Sequence, residues 1–97
     1  MLYTVNKSPL STDSLSSLLR IAPAGAPVLL YEDGVYAALP NAKSTPLVEG
    51  AMADHPFYAL DADLEARGIA RVIKGIQIVG YDGFVELVEQ HDVAPWL

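Results

Sequence analysis

The chain contains no cysteine. That excludes disulfides, thiolate metal centres and any mechanism in which the chain itself holds sulfur or an acyl group on a thiol. Long apolar runs are missing too. Stretches such as residues 28–31 and 76–79 fall far short of the roughly 20 residues that a membrane-spanning helix needs. The opening MLYTVNKSP has no extended apolar core of the kind a secretion signal carries, which predicts a cytoplasmic protein. Cations are scarce: six Lys and Arg stand against twelve Asp and Glu, giving a net charge of −6. A polyanion is therefore repelled over most of the surface, and direct nucleic-acid binding is disfavoured. Arg67, Arg71 and Lys74 form the one local exception. Neither GxGxxG nor a lysine-bearing phosphate loop occurs, and Gly25 and Gly34 stand alone, so no nucleotide or other cofactor is expected. The two histidines, His55 and His91, are too few and too far apart to suggest a metal centre.

What is present suits one compact domain over residues 1–97. Of the 97 residues, 52% are hydrophobic, enough for a modest core. The mean hydropathy of +0.27 is high for so small a chain, and predicts apolar surface that a further subunit would cover.

Short apolar runs alternate with amphipathic segments. Residues 2–5 read as a first strand, broken by Asn6, Lys7, Ser8 and Pro9. Ser11, Thr12 or Asp13 is placed to cap a helix over 13–22, in which Leu15, Leu18, Leu19 and Ala22 share a face. Residues 28–31 have the continuous apolar pattern of a strand covered on both sides in a parallel sheet. A short helix is predicted over 35–39 and a mobile loop over 40–50, followed by a helical turn at 48–53. Residues 57–60 give a third strand, and Asp61 or Asp63 a cap for a helix that closes at Gly68.

Runs 69–73 and 76–79 are separated by two residues, too few for the crossover between adjacent parallel strands. Residues 76–80 are taken as the fourth strand, and Val72 and Ile73 as an edge strand or an apolar loop. The last helix starts near Asp82, and DVAPWL follows as a tail. This order predicts a three-layer α/β/α sandwich on a mainly parallel sheet of four to five strands.

In such sheets ligands sit beyond the carboxyl ends of the strands. Lys7, Ser8 and Asp33 therefore form a candidate cleft, Lys7 and Asp33 as an acid/base pair and Ser8 as a nucleophile. Against this, Asp33-Gly34 after a strand is ordinary turn and helix-cap chemistry, and no base for Ser8 is evident. His91 is expected at a helix C-terminus and His55 on the surface, while Asp61, Asp63 and Glu65 read as a solvated acidic face. Tyr36, Leu39 and Trp96 are candidate interface residues.

Five segments then occur together and in order: LYTVNKSP, VLLYEDGVYAAL, LDADLEARGI, GIQIVGYDGFVEL and the terminal APWL. The set resembles the DsrH/TusB family of small sulfur-relay subunits over nearly the whole chain, with residues 40–56 matching poorly. The resemblance implies a DsrE-like fold and a hetero-hexamer with two copies each of DsrE, DsrF and DsrH, or of TusD, TusC and TusB in the thiouridine branch. In those assemblies the persulfide cysteine belongs to the DsrE/TusD partner, which passes sulfur to a carrier, DsrC or TusE. Members of the DsrH branch often carry a cysteine of their own in the first helix, where Leu18 stands here.

The implied role is thus a non-catalytic subunit of a cytoplasmic sulfurtransferase complex, with no direct contact to nucleic acid or membrane. The wording of VLLYEDGVYAAL and VNKSP is closer to the DsrH of sulfur oxidation. A TusB-like part in synthesis of wobble 2-thiouridine in tRNA, or a stand-alone homo-oligomeric ligand-binding protein, are the alternatives.

Overall fold

The computed structural model describes residues 1–96. Five strands, Leu2–Val5 (β1), Val28–Leu30 (β2), Phe57–Leu60 (β3), Gln77–Val79 (β4) and Val93–Trp96 (β5), form one sheet in the order β4-β3-β2-β1-β5. All four pairings are parallel. Between them lie the helices Ser14–Ile21 (α1), Thr45–Ala51 (α2), Asp61–Ala66 (α3) and Tyr81–Gln90 (α4), with a 3-10 helix at Glu32–Ala38. The mixed α/β class and the parallel sheet expected from sequence are both present.

Parallel crossovers are right-handed, so connections that step the same way across a sheet lie on the same face. The chain steps from β1 to β2, β3 and β4 in one direction. Accordingly α1, the 3-10 helix, α2 and α3 all pack on one face, around Val5, Leu18, Val28, Leu30, Val48, Phe57 and Leu64. The last connection reverses, from β4 at one edge to β5 at the other. It carries α4 over the opposite face, where Leu2, Leu29 and Leu87 form a second, smaller core edged by Tyr58, Val79 and Phe84. Each fully buried Leu, Val or Phe contributes about 1.5–3 kcal/mol, so most of the hydrophobic stabilisation comes from the first face.

Several boundaries differ from the sequence reading. The tail is a strand: Val93–Trp96 pairs along the whole of β1. Pro95 is accommodated because β5 is an edge strand and the missing N–H falls on the unpaired side. The loop 40–50 is largely helical, since α2 begins at Thr45. Pro46 sits in its first turn, where no intrahelical N–H is required. Thr45 Oγ1 ties the entry by donating to the Leu39 carbonyl at 2.8 Å and accepting from the Ala42 N–H at 2.8 Å.

Residues 69–73 form an apolar loop rather than an edge strand. Ile73 is buried, and its N–H donates to the Ala38 carbonyl at 2.9 Å. The side-chain caps expected on α1 and α3 are absent: Asp13 and Leu60 occupy the N-cap positions, and neither makes a capping bond. Thr12 Oγ1 instead accepts from the Ser14 N–H at 3.3 Å. His55, expected on the surface, is only 6% exposed, with Nδ1 2.9 Å from the Ala26 carbonyl oxygen. The Val28 N–H donates to the Pro56 carbonyl at 2.9 Å. This draws the start of β3 against the start of β2 and carries His55 inward.

The helix expected over 35–39 starts earlier, at Glu32, and winds as a 3-10 helix. Its first bond runs from the Gly34 N–H to the Tyr31 carbonyl at 2.8 Å. Glycine is required at position 34 for space rather than backbone angle: an added Cβ would overlap the Val5 carbonyl oxygen and lie 2.8 Å from the carbonyl carbon. Gly34→Ala should therefore lower stability by about 1–3 kcal/mol through overpacking. Gly50, inside α2 with open space around it, is the matched control. There alanine should raise stability by roughly 0.5–1 kcal/mol, and urea midpoints at constant m-value read both effects.

Candidate functional site

The carboxyl ends of β1, β2 and β3 lead into the loop 6–13, the 3-10 helix and α3. Ser8 organises the first of these. Its carbonyl accepts from the N–H groups of Ser11 and Thr12, both at 3.2 Å, and its Oγ accepts from the Leu10 N–H at 3.1 Å. Ser8 thus shapes a turn, and no base approaches its hydroxyl among the described residues. Lys7 is exposed.

Asp33 faces Arg67 instead of Lys7. Its Oδ1 accepts from Arg67 Nε at 3.0 Å and lies 2.9 Å from Nη2. Arg67 Nη1 also donates to the Asp63 carbonyl at 3.1 Å and sits 3.6 Å from Asp63 Oδ1. Asp63 Oδ2 in turn accepts from the Glu32 N–H at 2.7 Å. Glu32 has φ 47°, a left-handed conformation that L residues with long side chains adopt at a cost of order 1–3 kcal/mol. The bond from a carboxylate to its amide offsets part of that strain. Together these contacts join the end of β2 to the first turn of α3.

Asp63 accordingly departs from the solvated acidic face predicted for it, whereas Asp61 and Glu65 are exposed as expected. The role of Arg67 was missed. Its position four residues after Asp63 on a helical pattern was the available signal.

Leu18, at the position of the family's first-helix cysteine, is 0% exposed and lies inside the main core. A side chain there reaches no solvent. Tyr36 and Leu39 are half-buried at the end of the 3-10 helix. Trp96 is half-buried in β5, packed against the main core with its ring edge-on to Tyr3 at 6.2 Å between centroids. His91 stands at the C-cap of α4, as expected.

An open concavity of about 610 Å³ lies between the loop after β1 and the start of α2, lined by Leu10, Ser11, Thr12, Ser16, Lys43 and Leu47 among others. It does not include Lys7, Ser8 or Asp33. Among the described residues no group of three or more His, Cys, Asp or Glu converges as metal ligands. No helix there is long and apolar enough to cross a membrane. The carboxyl end of the sheet is thus built from turn-forming and ion-paired groups.

Comparison with known proteins gives a consistent result. The family model described as DsrH like protein matches residues 7–94. Protein TusB of Serratia proteamaculans is 44% identical over 92 residues, covering 94% of each chain. Protein TusB of Erwinia tasmaniensis is 44% identical over 88 residues, covering 90% of each. Among solved structures, the ychN protein of E. coli superposes with a TM-score of 0.82 at 21% identity, over 98% of this chain and 97% of that one. Protein Tm0979 of Thermotoga maritima does so with a TM-score of 0.61 at 25% identity, over 95% of each.

The Arg67 cluster predicts an unequal pair of effects. Asp33→Ala removes an ion pair whose acidic partner is 61% exposed, and should cost less than about 1 kcal/mol. Asp63→Ala strips the acceptor from the Glu32 amide and should cost about 1–3 kcal/mol. Chemical denaturation of both variants checks the order. Equal losses would mean that the Glu32 amide does not depend on Asp63.

Proposed function

The chain belongs to the DsrH family, and from that membership we propose that it is a cysteine-free subunit of a cytoplasmic hetero-oligomeric sulfurtransferase complex. The observation that carries the proposal is full-length membership in the family combined with the absence of cysteine. A persulfide needs a thiol, so sulfur would ride on a DsrE/TusD-like partner and pass from there to a DsrC/TusE-like carrier. This chain completes the oligomer beside DsrF/TusC-like subunits. The burial of Leu18 supports the same division of labour, because a thiol at that point in α1 would be closed to a carrier. Tyr36, Leu39 and Trp96, each apolar and half-buried, are the residues proposed to meet partner subunits.

Between the two branches, relatives named TusB at 36–44% identity favour a part in wobble 2-thiouridine synthesis. The sulfur-oxidation role suggested by VLLYEDGVYAAL and VNKSP is the second reading, supported by the family model's DsrH description.

Co-expression with DsrE/TusD- and DsrF/TusC-like chains, followed by native mass spectrometry, tests the proposal. The expected species contains all three chains in equal numbers. After sulfur loading, the 32 Da increment of each added sulfur atom should appear on the DsrE/TusD-like chain and never on this one. Recovery of this chain free of both partners would overturn the assignment.

A further inference from the structure

The two edges of the sheet are unequal. The β5 edge carries Pro95, opposite Thr4 of β1, and a strand proline turns its hydrogen-free nitrogen to the open side. That edge therefore lacks a donor near its middle. The β4 edge, Gln77-Ile78-Val79, is protected by its shortness alone: it has no proline, no charge and no bulge to keep it unpaired. Ile78 is 54% exposed and Tyr81, just beyond the strand, 74% exposed.

Charge is distributed along this edge by sign. Arg71 and Lys74 precede the strand. At its far end stand Asp82 and Asp61, the latter with Oδ2 3.5 Å from where a Cβ on Gly80 would lie. Among the described residues neither Lys74 nor Asp82 forms an ion pair.

We propose that the β4 edge pairs antiparallel with β4 of a second copy of this chain, across a two-fold axis at Ile78. In that register Ile78 faces Ile78 of the other copy and Gln77 faces Val79. The cationic end with Lys74 meets the acidic end with Asp82 at both ends of the ladder. A parallel alignment would set like charges together, and like-charge juxtaposition works against association. Head-to-tail addition of β4 to the β5 edge of another copy would meet Pro95 and leave an open filament, whereas the two-fold contact closes on itself. The three-residue ladder is short, so Ile78 and Tyr81 supply the apolar area that completes the contact. The pairing depends on the β4 edge alone and stands whether or not the chain serves a sulfur relay.

The lack of native cysteine gives a clean test on the full chain. Ile78→Cys places single thiols directly opposite each other. Directly opposed residues of an antiparallel pair have Cβ atoms about 4.5–5.5 Å apart, close enough for a disulfide to form with a small adjustment. Mild oxidation should give a covalent dimer, while Val93→Cys on the β5 edge stays monomeric under the same conditions. In sedimentation equilibrium, Lys74→Asp and Asp82→Lys should each weaken the dimer about tenfold, and the two together should restore it. Three results would overturn the proposal: a wild-type chain that stays monomeric at high micromolar concentration, equal cross-linking at positions 78 and 93, or a dimer indifferent to both charge reversals.

Discussion

Right-handedness of the parallel crossover is the constraint from which the rest of this molecule follows. Three connections stepping one way, from β1 to β4, load α1, the 3-10 helix, α2 and α3 onto one face and build the larger core there. Only the single reversal, from β4 to β5, brings α4 to the other face. Parallel pairing places the carboxyl ends of β1, β2 and β3 beside one another. The turn at Ser8 and the Arg67 cluster occupy that end, and the concavity opens near it.

At that end the backbone is held by close approach and by charge. Gly34 lets the 3-10 helix lie against the end of β1 with no side chain between them. Asp63 and Arg67 then join the same segment to α3. Asp63, expected on a solvated acidic face, is a structural tie, and Asp33, placed with Lys7 and Ser8 in the candidate cleft, pairs with Arg67 at the surface.

Much of the architecture was legible because apolar periodicity reports burial directly. The strand runs at 2–5, 28–31 and 57–60 and the α1 face at Leu15 and Leu18 all appear in the structure. What escaped was set by contacts distant in sequence. The strand β5 exists because β1 lies beside it, which nothing local in DVAPWL announces. His55 is buried through a bond to Ala26, 29 residues away. The partner of Asp33 lies 34 residues on. The absence of cysteine, by contrast, needed no structure to interpret, and it bears most directly on the chemistry.

The position of β1 between β2 and β5 has a consequence for synthesis. The first strand made gains its second neighbour only when residues 93–96 have followed it. Until then the side of β1 that β5 will cover is a bare row of backbone donors and acceptors, flanked by Tyr3 and Val5. A nascent chain of this topology therefore stays exposed to wrong pairing until residues 93–96 are available, and its slowest step is expected to be closure of this long-range contact. Docking of β5 is what removes the hazard.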